Sequence, residues 1–125
     1  MLVDTDVLIW NQRGNEVAAD LLDSHRGFMI SAVTWMELVQ GTRGKHEQKL
    51  LRQALRYWKA EIQPINEEIS ARAMFWIEEF SAGHGLRMAD SLIAATAWYL
   101  GRTLHTASDR HYRFLDEIDL VVFRP

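Results

Sequence analysis

The chain has 125 residues, 48% hydrophobic and 25% charged, with two prolines, no cysteine, and a formal charge of −3 from 14 Lys and Arg against 17 Asp and Glu. That size and composition describe one domain spanning residues 1–125 and leave no room for a second. Without cysteine there is no disulfide framework, thiolate zinc site or cysteine nucleophile, which fits a reducing cytoplasm, and the negative balance excludes a protein that holds nucleic acid by overall positive charge.

No basic segment with a following apolar run precedes Asp4, and no apolar stretch reaches the ~18 residues that span a bilayer. Neither a secretory signal nor a membrane anchor is expected. Met1 to Asp4 (MLVD) reads as a first strand that turns into a helix at TDVLIW. Gly27 to Ser31 (GFMIS) is a second strand. Ser31 then caps a helix running through Leu38 to Gly41, where glycine permits a left-handed exit. From Lys45 to Lys59 the pattern is helical, and Glu61 to Ile65 (EIQPI) is a weak third strand. Asn66 caps a helix through Ile69, Ala73, Ile77 and Phe80, broken by Gly83 and Gly85. Met88 to Leu100 (MADSLIAATAWYL) is apolar on nearly every side, which marks a helix buried in the domain. Thr103 to Thr106 and Leu120 to Phe123 (LVVF) are the last two strands. Strands alternating with helices predict an α/β fold whose mostly parallel sheet of four to five strands is covered on both faces.

In open parallel sheets ligands gather outside the carboxyl ends of the strands, so acids placed there are the first candidates. Asp4 ends the first strand, with Thr5 and Asp6 just beyond it. Thr5 can donate a hydroxyl to a bound water, while Asp6 or Thr5 can equally serve as a helix cap. Glu37, six residues past Ser31, projects from the second turn of its helix among Val33, Trp35, Met36, Leu38 and Val39. Asp90 opens an apolar helix, where an unpaired carboxylate costs several kcal/mol in lost hydration. A cation compensates it, and so do helix N-terminal amides if it acts as a cap. Asp109 follows the strand TLHT, with Ser108 beside it. Four acids from four segments, Asp4, Glu37, Asp90 and Asp109, form an all-oxygen nest that suits Mg²⁺ or Mn²⁺ rather than zinc. Such an ion lowers the pKa of water and polarises a phosphoryl oxygen.

The segments VDTDVLIW, SAVTWMELVQG, GLRMADSLIAATA and LHTASDRHYRFL, taken in order over essentially the whole chain, resemble PIN domains, specifically the VapC toxins of type II toxin–antitoxin modules. The resemblance implies a three-layer α/β/α fold and metal-dependent hydrolysis of RNA phosphodiesters, with Asp4, Glu37 and Asp90 on the family's first three acidic positions. It also implies a VapB-like antitoxin that blocks the site, a homodimer, and transfer or other structured RNA as substrate. Two positions depart from the pattern. Asp6 stands where the family carries Asn or Ser. Two residues after Thr106, where Asn or Asp is common, stands Ser108, with Asp109 one step later, so either fills the fourth position.

Lys45, Lys49, Arg52, Arg56 and Lys59, spaced by four, three, four and three, align on one helix face and hold five of the fourteen Lys and Arg residues. Such a stripe either follows an RNA backbone or is a solvated surface. Arg87, just before the Asp90 helix, is placed to contact a phosphate or to make a surface ion pair. The five histidines show no metal-ligand pair on a shared helix face, and only His111, close behind Asp109, is placed to move protons. Of tryptophans 10, 35, 58, 76 and 98, most read as core, Trp98 above all. Two other readings use the same residues. DTDV is similar to the opening motif of haloacid dehalogenase-like phosphatases, which need a later lysine, and here the only lysines are 45, 49 and 59. A catalytically inactive, PIN-like partner-binding module would account for Asp6 and Ser108.

Overall fold

In the computed structural model, which describes all 125 residues, five short strands form one sheet: β1 (Leu2–Val3), β2 (Met29–Ser31), β3 (Glu61–Gln63), β4 (Leu104–Thr106) and β5 (Leu120–Val122). Their order across the sheet is β3-β2-β1-β4-β5, and every pairing is parallel. The chain moves outward from β1 to β2 and β3 on one side, then crosses to β4 and β5 on the other. The crevice of such a sheet opens where that direction reverses, beside β1 and β4.

Helices α1 (Thr5–Gln12), α2 (Glu16–Ser24), α3 (Ala32–Gln40), α4 (Lys45–Trp58), α5 (Glu67–His84) and α6 (Met88–Leu100) fill the connections. Strand alternation sends Leu2 to one face and Val3 to the other. Leu2 joins Ile69 and Trp76 of α5 and Ile93 and Ala97 of α6, while Val3 joins Val7 of α1, Leu22 of α2 and Leu55 and Trp58 of α4. Two apolar layers therefore sandwich the sheet, giving the expected three-layer α/β/α architecture.

The caps explain most boundaries. Ser31 and Asn66 accept hydrogen bonds from the amides of Val33 and Ile69 and start α3 and α5 as the sequence suggests, each worth about 1 kcal/mol. Asn15 does the same for α2 through Ala18. Some details differ from the sequence reading. Gly83 stays helical, and α5 ends only at Gly85, which adopts the left-handed conformation at φ 66°. Gly41 ends α3 with φ −80°, so no left-handed exit occurs there. Pro64 offers no amide to the ladder, and β3 stops at Gln63. Trp76 and Trp58 are the buried tryptophans. Trp98 is only half-buried, with the Arg72 guanidinium 4.4 Å above its ring.

Candidate functional site

The turn from β1 into α1 positions the first acid. Asp4 is extended (φ −71°, ψ 156°) and is itself the cap of α1, its Oδ1 accepting from the Thr5 amide at 2.8 Å. Neither Asp6 nor Thr5 fills that role, because Asp4 already stands at the break between strand and helix. Asp4 is 5% exposed, and its Oδ2 accepts from the Thr106 hydroxyl at 2.8 Å, across from β1 to the end of β4.

Asp6 lies in the first turn of α1 and reaches the same strand end. Its Oδ2 accepts from the Ala107 amide at 3.0 Å and the Ser108 hydroxyl at 2.8 Å, with the Thr106 hydroxyl at 3.3 Å. Its other oxygen, Oδ1, is buried and has no partner. Burial and the neighbouring Asp6 charge push the Asp4 carboxyl up to about 7, although hydrogen bonds from Thr106 and Thr5 and the nearby Tyr112 hydroxyl pull the other way.

Glu37 stands exposed at the rim. The Thr5 hydroxyl donates to its Oε1 at 2.7 Å and lies 2.9 Å from the buried Thr34 hydroxyl, which ties α1 to α3. Asp90, in the first turn of α6, caps nothing: Arg87 is the cap residue and makes no side-chain bond. The Tyr112 hydroxyl donates to Asp90 Oδ1 at 3.2 Å, and His111 Nδ1 stands 3.6 Å from Oδ2.

Asp4 is thus a hub. Thr5 leads from it to Glu37 and Thr106 to Asp6, while the Tyr112 hydroxyl, which donates to Asp90, stands close enough to act on its charge. Sequence reasoning missed Tyr112, which is fully buried. Burial and the Asp4 and Asp90 charges raise its pKa, so it is a neutral donor at every ordinary pH. The signal for it was weak, an aromatic residue shortly after the fourth motif whose hydroxyl would need a partner if buried.

Asp109 takes another direction. It accepts from Arg124 at 3.0 Å, and that contact lowers its pKa. Ser108, not Asp109, points toward Asp6. The compact nest of four acids expected from the sequence is also corrected, since no three Asp, Glu or His side chains converge closely enough to hold an ion as they stand. Thr106 bridges Asp4 and Asp6 by its hydroxyl, and Thr5 joins Asp4 to Glu37 by its amide and hydroxyl. The donor set nonetheless fits a hard divalent ion: it is all oxygen, it crowds Asp4 against Asp6, and Asp6 Oδ1 lacks any compensating contact.

Lys45, Lys49, Arg52, Arg56 and Lys59 are all exposed on α4 or at its exit, as is Arg87 before α6. The ion pairs Arg43–Glu47, Arg72–Glu117 and Arg124–Asp109, and the His111–Asp90 contact, include none of these six. No helix is long and apolar enough to cross a membrane.

A sequence model of the PIN domain matches residues 1–118. Ribonuclease VapC10 of Mycobacterium tuberculosis is 32% identical over 122 residues, covering 94% of this chain and 90% of that protein. Among solved structures, a toxin–antitoxin complex from Klebsiella pneumoniae contains a chain of 27% identity with a TM-score of 0.80, covering 97% of this chain and 95% of that one. FitAcB from Neisseria gonorrhoeae is 26% identical, with a TM-score of 0.69 and coverage of 95% and 94%.

Proposed function

The chain belongs to the PIN domain family, and from that premise we propose that it is a VapC-type toxin, an endoribonuclease that depends on Mg²⁺ or Mn²⁺ and hydrolyses phosphodiester bonds of transfer or other structured RNA. The observation that carries this reading is the gathering of Asp4, Asp6, Glu37 and Asp90 at the switch point of the sheet, with Thr106 shared by Asp4 and Asp6, Thr5 binding Asp4 by its amide and Glu37 by its hydroxyl, Tyr112 binding Asp90, and a partnerless carboxylate oxygen among them. Asp4, Glu37 and Asp90 would hold the ion, with Asp6 rather than Asp109 as the fourth acid, because Arg124 already engages Asp109. When bound, the ion lowers the pKa of water and polarises a phosphoryl oxygen.

The chain's own residues supply the rest. Thr106 and the Thr5 amide fix both oxygens of Asp4. Thr5 fixes Glu37 by one oxygen, and its exposure makes it the carboxylate that water reaches most easily. Arg87, exposed just before Asp90, contacts a phosphate of the bound strand.

The relative that is a toxin–antitoxin complex supports a VapB-like antitoxin as partner. A groove of about 370 Å³ between α1, α3 and α4, lined by Leu8, Ile9, Leu38, Leu51 and Leu55, also has Glu37 in its wall and suits an apolar segment leading to the site. Exposed Met36 and Met88, which line one apolar cleft between α3 and α6, mark the face for a second copy in a homodimer. The cytoplasm is the proposed place of action.

The test is RNA cleavage and growth arrest by Asp4→Asn and Asp90→Asn. Both are expected to lose cleavage and toxicity while keeping their far-ultraviolet dichroism. Full activity in both, in preparations free of contaminating nuclease, overturns the reading. One observation favours a second reading, a partner-binding module without chemistry: no three carboxylates yet share one point. In that case Mg²⁺ or Mn²⁺ leaves the Tm unchanged, whereas a working site is stabilised by its ligand. The phosphatase reading finds no support, since all three lysines are exposed on α4 or at its exit and Asp4 is buried.

A further inference from the structure

We infer that the outer face of α4 is a docking track for the sugar-phosphate backbone of RNA, joined to the carboxylate site through α3. The inference rests on the ribonuclease reading for its purpose, and its observations are separate from those of the site.

Four cations, Lys45, Lys49, Arg52 and Arg56, stand exposed along α4 and Lys59 follows at its left-handed exit, and no carboxylate pairs with any of the five. A face that serves solvation alone mixes acids and bases at i,i+4, because like charges at that spacing repel. Here each cation has a like-charged neighbour three or four residues away. The only acid within the helix, Glu47, is taken by Arg43. Without these five charges the formal charge of the chain moves from −3 to −8, so the stripe is a local reversal of sign on an acidic protein. A polyanion recognises such a reversal by counterion release. The cations recur about once per helical turn, ~5.4 Å along the axis, on the scale of a nucleotide repeat.

Aromatic side chains choose between a nucleic acid and an acidic peptide. The Arg52 guanidinium lies 4.6 Å above the half-buried Trp35, and Arg26 lies 5.0 Å above the exposed Tyr57. Guanidinium planes backed by aromatic rings are stacking platforms for unpaired bases, which a carboxylate-bearing peptide does not use. Trp35 also gives the track its direction. It stands on α3 two residues before Glu37, and Glu37 borders the groove that α4 lines. A strand held on Arg52 is thereby brought to the rim of the acidic site.

The test measures binding of a labelled single-stranded RNA to the full chain in EDTA, where metal-dependent cleavage is silent, across a range of KCl concentrations. In the triple variant Lys49→Gln, Arg52→Gln, Arg56→Gln, affinity at low salt is expected to fall at least about tenfold. The slope of log K against log salt should become shallower by roughly 2–3, at about 0.7–0.9 per lost phosphate contact. The charge-keeping variant Lys49→Arg, Arg56→Lys should retain the wild-type slope. An unchanged slope in the triple variant overturns the track. Poly-glutamate that displaces the RNA as well as an unlabelled RNA of equal charge overturns the choice of nucleic acid. Loss of RNA binding in the triple variant, alongside a wild type that never cuts RNA with Mg²⁺ or Mn²⁺, leaves the track standing and removes the ribonuclease reading instead.

Discussion

At the carboxyl end of the sheet, Asp4, Asp6 and Asp90 sit partly or wholly out of water with Glu37 exposed at their rim, and hydroxyls and amides hold them, whereas along α4 and at its exit five cations stand in water without an acidic partner. The sequence spaces the cations at helical intervals and scatters the acids over positions 4, 6, 37 and 90. The contrast teaches where charge is costly. Asp4 cannot reach water, so its ionisation depends on Thr5, Thr106 and Tyr112, and a change to any of them is felt at once. The stripe keeps its hydration, and each like-charged pair costs only about 0.2–0.5 kcal/mol. A cation would relieve the first region and a polyanion the second.

The largest effect that separates the two regions is pH dependence. Asp4 binds its proton more tightly in the folded chain than in the unfolded one, with its pKa raised from 3.8 to about 7. The metal-free protein therefore loses stability as pH rises from about 4 to about 7 and changes little above that, by on the order of a few kcal/mol. Urea unfolding in EDTA from about pH 5 to about pH 8 checks this, with Asp4→Asn as reference. A difference between wild type and Asp4→Asn that stays constant over that range contradicts it. Mg²⁺ should stabilise the wild type more at the upper end of the range, where it no longer competes with the proton.

Tyr112→Phe sharpens the role of the bridging hydroxyls. It removes the donor to Asp90 and the hydroxyl that helps hold the Asp4 charge, and keeps the buried ring, so the ligands lose orientation while the core stays filled. Affinity for Mg²⁺ or Mn²⁺ should fall roughly 10–100-fold, the usual cost of losing a contact behind a metal ligand. Calorimetric titration with the metal reads this directly. A lower Tm with an unchanged binding midpoint would reduce Tyr112 to a packing residue.

On the exposed side, Lys49→Glu turns two repulsive neighbours, Lys45 and Arg52, into attractive ones. It should stabilise the metal-free fold by about 0.5–1 kcal/mol while weakening RNA binding. A stabilised variant that binds RNA as tightly as before would show the stripe to be solvation only. The smallest effect belongs to Arg43→Ala, which breaks the exposed pair with Glu47 at 3.2 Å and should cost no more than about 0.5 kcal/mol by thermal unfolding.

How much could be read from the chain alone follows from the range of the interactions involved. Helix caps and breakers act within a few residues, so Ser31 and Asn66 could be placed in advance, and the apolar run of α6 was legible from Met88 to Leu100. The alternation of strands and helices likewise determined a parallel sheet covered on both sides. The site was legible only as a set of acids behind strand ends. Which oxygen meets which hydroxyl depends on contacts across 22 to 102 residues of chain, as between Tyr112 and Asp90 or Thr106 and Asp4. Local pattern carries no trace of such contacts. Packing of β1 against β4 turned Asp6 into the site and brought Tyr112 near Asp4. Arg124, at the far end of the chain, drew Asp109 away. Sequence determined the elements because their energies are local; tertiary structure decided the partners of each buried charge, because desolvation is settled only when distant segments close around it.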